Sequence, residues 1–330
     1  MNLQRRGWIA AGLVLAAATT ASGTQAQPAP AAWPSKPVRL MVPAPAGTAP
    51  DIMARLIGEK LGALWGQAVV VDNKPGAGGL IGLTAVKGDK DDHGFVLAPA
   101  SVYTLTPYMY KSKQVDVVAD FVPVALVGVG PMMAAVPPSS PINSLADLVA
   151  AARKAPDQIV VATTNQYSVP HLAVDMIGRA ASVTLRAMPY ANSGQSISAV
   201  VGGDAQVLID GIPPIDAMVK GNRLKAVAVF SDKRLPDRPQ VGTAAETYPS
   251  LVINGWFGLV APKGTRPEVV ARVNRDCATV LAMPDIVARF ETLGVYPRPL
   301  APEQFGAFWN TERQRWEKVL RDVGAQPVMQ

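Results

Sequence analysis

The sequence predicts an α/β protein with two lobes, each built on its own mixed, mostly parallel sheet flanked by helices. Strand–loop–helix units repeat along the chain, which is typical of parallel sheets. A second set of such units begins after the segment MMAAVPPSSPINS. The 330 residues, 49% apolar and 17% charged, are enough for two globular cores.

The first lobe begins with an apolar strand, PVRLMVPA, followed by a helix. Apolar residues recur at helical spacing in that helix, at Ile52, Met53, Leu56, Ile57, Leu61 and Leu64. The strand AVVVDN, the turn KPGAGG, a helix near Leu80 to Lys87 and the strand GFVLAPAS complete this set.

The second lobe begins with a helix, LADLVAAARK, that Ser144 is suited to cap. The strand QIVVATT and the helix HLAVDMIGRAA follow. Three more strands are predicted at VTLRAMPY, AQVLIDG and RLKAVAVFS, with helices near 193–201 and 215–221 between them.

The tail is predicted to form helices that are entered through proline and cover the sheet of the first lobe. The chain then crosses between lobes twice, near 127–136 and near 252–261. We therefore expect lobe 1 at 34–134 plus 256–330, lobe 2 at 135–255, and a hinge with a cleft beside it.

Residues 1–26 have the pattern of a secretory signal peptide. Arg5 and Arg6 precede an apolar stretch from Trp8 to Ala18, and small residues lead to a cleavage point after Ala26. The apolar run is too short to span a bilayer, so we expect an exported protein in the periplasm without a membrane anchor. A twin-arginine signal is the alternative to the general export route.

Few residues in the chain are suited to catalysis or metal binding. It has two histidines, His93 and His171, without metal-ligand spacing, and one cysteine, Cys277, on the apolar side of a predicted helix. We therefore predict a buried core thiol, no metal, no cofactor and no enzymatic activity. No cluster of basic and aromatic residues suggests nucleic acid.

Two loops resemble nucleotide-binding turns only loosely. The segment PGAGGLIG matches G-x-G-x-x-G at Gly76, Gly78 and Gly82, and a tight, closely packed turn is the favoured interpretation. The loop PAPAGTAPD leads into a helix, whose N-terminal amides favour an anion. Asp51 is either the N-cap of that helix or the partner of Thr48 in a T-x-x-D box.

Several segments together resemble the tripartite tricarboxylate transporter receptors, also called Bug receptors. The resemblance runs from about Trp33 to Gln326, without large gaps. Its segments include VPAPAGTAPDIMARL, VVVDNKPGAGGLIG, VPHLAVDMI, MPYANSGQSISAVVGGDAQVLID and GWFGLVAPKGTRPEVVARVN.

This resemblance implies a two-lobed periplasmic binding protein of the type II fold that closes on a small carboxylate. It implies a ligand loop in each lobe and further cleft positions on neighbouring strands. The first loop contributes Pro45, Ala46, Gly47, Thr48, Ala49 and Asp51, and the second contributes Thr164, Gln166, Tyr167, Ser168 and His171. The further positions are Ser101, Tyr190, Ser193 and Asp210.

The sequence departs from the family pattern in both loops. Thr48 and Ala49 stand where the family usually has glycine, and Pro50 stands where it has Ser or Thr, so one N–H donor is missing. Gln166 and Tyr167 replace small residues. We hypothesise that Tyr167 and Tyr190 select an aromatic acid or a compact dicarboxylate.

The predicted function is extracytoplasmic capture of a small carboxylate for the membrane permease subunits of a tripartite tricarboxylate-type transporter, by a monomer. Two alternatives stay open. The protein is a ligand sensor that feeds a signalling kinase, or, less favoured, a periplasmic enzyme on the same scaffold.

Overall fold

The structure is a computed structural model that describes residues 33–110, 112–166 and 168–326. The predicted signal peptide, residues 1–26, lies outside the described residues. No helix in the described ranges combines the length and the apolar character that crossing a membrane requires.

Ten strands lie in the described part of the chain. They are β1 (Val38–Val42), β2 (Val69–Asn73), β3 (Gly94–Pro99), β4 (Phe121–Val136), β5 (Val160–Thr164), β6 (Arg186–Tyr190), β7 (Val207–Gly211), β8 (Lys225–Val229), β9 (Asn254–Pro262) and β10 (Tyr296–Pro297).

Eleven α-helices accompany them in the same ranges. They are α1 (Ala49–Trp65), α2 (Leu80–Thr84), α3 (Ala100–Thr104), α4 (Thr106–Met109), α5 (Leu145–Lys154), α6 (Val169–Ala181), α7 (Ser193–Gly202), α8 (Ile212–Lys220), α9 (Pro267–Leu281), α10 (Pro284–Thr292) and α11 (Pro302–Asp322).

The strands follow the order β2-β1-β3-β9-β4-β7-β5-β6, with β8 and β10 also paired to β4. Strands β1, β2 and β3 are mutually parallel, and so are β5, β6 and β7. Strands β4 and β9 run antiparallel to each other and join the two parallel sets. The predicted strand–loop–helix units are confirmed in both halves.

Strand β4 is a single strand of 16 residues that belongs to both halves of the fold. Its first part pairs with β9, and its last residues pair with β7 and β8. The two predicted crossings therefore lie on paired strands. The exact lobe boundaries stay a prediction.

Helix α11 packs against two hydrophobic cores. Phe305 and Trp309 lie in the core under the first parallel set, whereas Trp316 and Leu320 lie in the core that α5 and α6 cover. The prediction placed the tail helices on the first lobe alone. A helix of 21 residues is about 31 Å long, so α11 extends past the first core.

Several short elements differ from the prediction. Helix α8 begins at Ile212 rather than near 215, since Pro213 and Pro214 fit the first turn of a helix. Helix α2 ends at Thr84, short of the predicted Lys87. Helices α3 and α4 and strand β10 were not predicted, because segments of two to five residues give no periodic pattern.

The predicted cap of α5 is confirmed: the Ser144 hydroxyl accepts a hydrogen bond of 3.1 Å from the Asp147 amide. We expect Ser144→Ala to lower the free energy of unfolding by about 1 kcal/mol, because the amide loses its acceptor. Ser144→Asp retains an acceptor and should cost less. Urea unfolding of the three proteins measures this, and equal losses in both variants would argue against a contribution from the cap.

Candidate functional site

The two parallel sets of strands point their carboxyl ends towards each other across the middle of β4. At the end of β3, Pro99 pairs with Phe257 of β9, which pairs in turn with Gly128 of β4. At the end of β7, which runs in the opposite direction, Gly211 pairs with Met132 of β4. Gly128 and Met132 are four residues apart, about 13 Å along a strand. We call the space between these two edges the candidate cleft.

The first edge of the candidate cleft contains a concavity of about 390 Å³. The loops that follow β1, β2 and β3 line it, together with the short helices α3 and α4. Two of the predicted site residues, Pro45 and Ser101, are among its lining residues.

The glycine-rich loop after β2 also lines this concavity. Gly76, Gly78 and Gly79 all have positive φ, and a Cβ on Gly78 would lie 2.7 Å from the Tyr110 ring. The Thr106 hydroxyl donates a 2.7 Å hydrogen bond to the Gly78 carbonyl oxygen. The predicted tight, closely packed turn is confirmed. Its place on the concavity was missed, although the repeated glycines were a signal of close approach.

The loop after β1 is held by hydrogen bonds within itself. Thr48 occupies the N-cap position of α1, but its hydroxyl donates to the Pro45 carbonyl oxygen at 2.6 Å and caps no amide. Asp51 lies in the first helical turn and accepts a 2.8 Å hydrogen bond from the Gly47 amide. Asp51 is therefore not the N-cap, and Thr48 and Asp51 form neither of the two reciprocal hydrogen bonds of a capping box, so both predictions for this helix start were wrong.

Asp51 is buried and paired with Arg55 in the next turn. The Nη2 atom of Arg55 lies 2.9 Å from Oδ1, and its Nε atom donates to Oδ2 at 3.2 Å. Burial acts to raise the pKa of Asp51, but hydrogen bonds from Arg55 and the Gly47 amide outweigh burial and hold the pKa below its ordinary value. Asp51 is thus an ionised residue that fixes the loop.

The backbone amides of this loop divide into two groups. Gly47 donates to Asp51, and Thr48 donates weakly to the Pro45 carbonyl oxygen at 3.4 Å. The amides of Ala46 and Ala49 have no acceptor within residues 33–110, 112–166 and 168–326. Of the four amides from Ala46 to Ala49, these two are therefore free of a protein acceptor within the described ranges.

The second edge of the candidate cleft carries a row of side chains across neighbouring strands. Tyr190 of β6 pairs with Thr164 of β5, and Asp210 of β7 pairs with Met133 of β4. Strand β5 pairs with β7 at Ala162 and Leu208. Continuing this register by two residues places Thr164 beside Asp210. Residues paired across strands project to the same face, so these side chains form one row.

Three predicted residues lie on helix starts at this edge. Ser168 caps α6, since its hydroxyl accepts from the His171 amide at 3.3 Å and donates to the Thr164 carbonyl oxygen at 2.7 Å. Burial lowers the pKa of His171, although the nearby Asp175 acts to raise it. The lowered pKa favours the neutral ring. Ser193 is the first residue of α7, which Asn192 caps.

The other predicted residues of this edge differ in their surroundings. The Tyr190 hydroxyl donates to the Met188 sulfur at 3.0 Å. Gln166 is exposed. Tyr167 lies outside the described residues.

Asp210 is the most deeply buried carboxyl of this edge, with 6% of the residue exposed. Its Oδ1 atom accepts a 2.7 Å hydrogen bond from the Gly211 amide. Its Oδ2 atom is buried and has no hydrogen-bond partner among the described residues. Burial raises the pKa of Asp210, and the Ser193 hydroxyl and the Gly211 amide act in the opposite direction.

Groups for other chemistry lie away from this cleft. Cys277 is fully buried in α9, and burial raises its pKa to about 12, which confirms the predicted core thiol. Within the described ranges, no three His, Cys, Asp or Glu side chains form a group that could hold a metal ion. The arrangement of the cleft is suited to binding an anion through helix N-termini.

Comparison with known proteins matches this chain to one family. The family model for the tripartite tricarboxylate transporter family receptor covers residues 53–325. The chain is also similar to Protein BugT of Bordetella pertussis, with 32% identity over 296 residues that cover 89% of this chain and 91% of that protein.

Two solved structures from Rhodopseudomonas palustris have the same fold. Rpa4515 with adipate has 28% identity and a TM-score of 0.73, and covers 90% of this chain and 100% of its own. MatC with bound malate has 27% identity and a TM-score of 0.67, and the match covers 87% of this chain and 100% of MatC. The fold is therefore the two-lobed type II fold of periplasmic binding proteins, and the chain belongs to the tripartite tricarboxylate transporter receptor family.

Proposed function

We propose that this protein is an extracytoplasmic solute-binding protein that holds a small carboxylate in the candidate cleft and delivers it to a membrane permease of the tripartite tricarboxylate type. The observation that carries the proposal is the opposition of two parallel strand sets, whose carboxyl ends face each other across four residues of β4. Ligands of open α/β sheets bind outside the carboxyl ends of the strands.

The chemistry of both edges favours an anionic ligand. Helices α1, α6 and α7 all begin at these edges, and the positive end of each helix dipole favours negative charge. The amides of Ala46 and Ala49 are donors without acceptors in the described residues. A carboxylate takes two or more such donors without requiring a cationic side chain.

Two relatives carry small dicarboxylates in their structures, adipate in one and malate in the other. This supports a small carboxylate as the ligand here. The family description supports a transporter as the partner. Periplasmic localisation rests on the predicted signal peptide together with the family.

Ligand capture is then a shift between an open and a closed arrangement of the two lobes. The ligand contacts both edges only when they approach, so binding energy favours the closed form. Strands β4 and β9 join the two parallel sets, and we assign the hinge to them. The permease recognises the closed, loaded form of a monomer.

A thermal-shift screen of the mature protein tests the proposal. Mono-, di- and tricarboxylates are added at millimolar concentration, and at least one should raise the melting temperature by about 5 °C or more, the effect of a ligand at ~100 times its Kd. The neutral amide of each acid serves as its control and should give no shift. If no acid shifts the melting curve, or its amide shifts it equally, carboxylate binding is contradicted.

A further inference from the structure

The carboxyl of Asp210 is a buried acceptor with one oxygen left unpaired. The residue is 6% exposed, Oδ1 accepts from the Gly211 amide, and Oδ2 has no partner within the described ranges. Buried polar atoms in folded proteins nearly always have hydrogen-bond partners. An exception at the edge of a binding cleft points to a partner that comes with the ligand.

The position of Asp210 supports the same conclusion. It lies one residue before the end of β7, in the row with Thr164 and Tyr190. Ser193, at the start of α7, is close enough for its hydroxyl to act on the carboxyl. The row is therefore polar on three neighbouring strands, at the edge that faces the first parallel set.

Among the described residues, no cation compensates the charge of the Asp210 carboxylate. The influences on its pKa are burial, the Ser193 hydroxyl and the Gly211 amide, and none of these carries a charge. An unpaired buried carboxylate is costly to the folded protein. A hydrogen-bond donor on the ligand lowers this cost, and a charged donor lowers it most.

We infer that Asp210 determines ligand specificity by accepting a hydrogen bond from a hydroxyl or amino group on the carbon chain of the carboxylate. The inference rests on the proposed function, which places the ligand carboxylate at the helix N-termini. The preferred ligands are then hydroxy or amino acids rather than the unsubstituted acids of the same length. Asp210 and the Ala46 and Ala49 amides contact different ends of such a molecule.

Matched acids test this inference by calorimetric titration. Succinate, malate and aspartate differ only in the substituent on one carbon, and propionate, lactate and alanine form a second set. In at least one set, the member with a donor should bind the wild type about 10-fold or more tightly than the unsubstituted acid, the size of a charge-assisted hydrogen bond. Tighter binding of the unsubstituted acid in every set that binds would overturn the inference.

Two variants separate the amino from the hydroxyl case. Asp210→Asn keeps an acceptor but loses the charge, so an amino acid should lose about 10-fold in affinity while a hydroxy acid loses less. Asp210→Ala should remove the preference for both. The unsubstituted acid should change by less than about 3-fold in either variant. Asp204→Asn, an exposed residue before the opposite end of β7, is the matched control and should change nothing.

The melting temperature of the unliganded protein separates this role from a structural one. Asp210→Asn removes a buried charge and should raise it by about 2–4 °C. If Asp210 only fixes the Gly211 loop, Asp210→Ala lowers the melting temperature and weakens all acids equally, whereas Asp210→Asn keeps an acceptor for the Gly211 amide and leaves both nearly unchanged; that result would make the inference wrong. If no acid binds the wild type, the proposed function itself fails. Binding without preference contradicts the inference alone.

Discussion

Replacing Trp256 by alanine should lower the free energy of unfolding by about 3–5 kcal/mol, the usual loss for a large aromatic residue in a core. Trp256 is fully buried on β9, next to Val129 of β4. Its ring stacks on Tyr103 at 5.5 Å and meets the edge of Phe305 at 5.7 Å. The alanine variant would leave a cavity where β4 and β9 join the two halves, and chemical denaturation measures the loss.

A pair of phenylalanine variants provides the control. The Nε1 atom of Trp256 is buried without an acceptor in the described residues, whereas Nε1 of Trp309 donates to the Tyr103 carbonyl oxygen at 3.0 Å. Trp256→Phe therefore removes an unpaired donor, and Trp309→Phe breaks a buried hydrogen bond. We expect the first to cost less than the second. Equal losses would mean that ring volume alone determines both, and the reverse order would contradict the hydrogen-bond argument.

Local pattern accounts for most of the elements that were predicted. Strands such as β1 and β5 are short apolar runs that end in turn residues, and Ser144 stands directly before a helical period, so each is visible within ten residues of sequence. The pairing of β4 with four other strands is a long-range property. The packing of α11 is also a long-range property. Its apolar residues predict one buried face, but they do not predict that this face contacts two separate cores.

The candidate site was harder to predict from sequence than the fold. The family resemblance supplied Pro45 and Ser101, which line the concavity at the first edge. The acceptor that Asp51 provides for the Gly47 amide depends on the positive φ of Gly47, which the sequence permits but does not require. The unpaired oxygen of Asp210 depends on burial by residues from other strands. Such pairings arise from tertiary structure, so spacing along the chain does not reveal them.

Asp51→Ala should weaken carboxylate binding by about 10-fold or more and lower the free energy of unfolding by about 1–3 kcal/mol. The variant leaves the Gly47 amide without its acceptor and Arg55 without its ion-pair partner. The loop then no longer holds the Ala46 and Ala49 amides in one arrangement, so part of the binding energy is used to order them. Titration with the best acid of the panel and urea unfolding measure the two effects.

Two variants and a pH series identify which contact of Asp51 matters. Arg55→Ala removes an ion pair with Asp51 and an exposed hydrogen bond to Asn73, and the arginine is 54% exposed, so the change should cost less than about 1 kcal/mol and leave affinity nearly unchanged. Because the folded pKa of Asp51 is lowered, its contribution to stability is present above its ordinary pKa and is lost as the pH falls through the lowered value, below about pH 4. Asp51→Asn keeps an acceptor for Gly47 without this titration, so its stability should fall less steeply in acid. If Asp51→Ala binds the acid with wild-type affinity, the loop amides need no support from this carboxylate. The anion site would then have to be assigned to a place other than the start of α1.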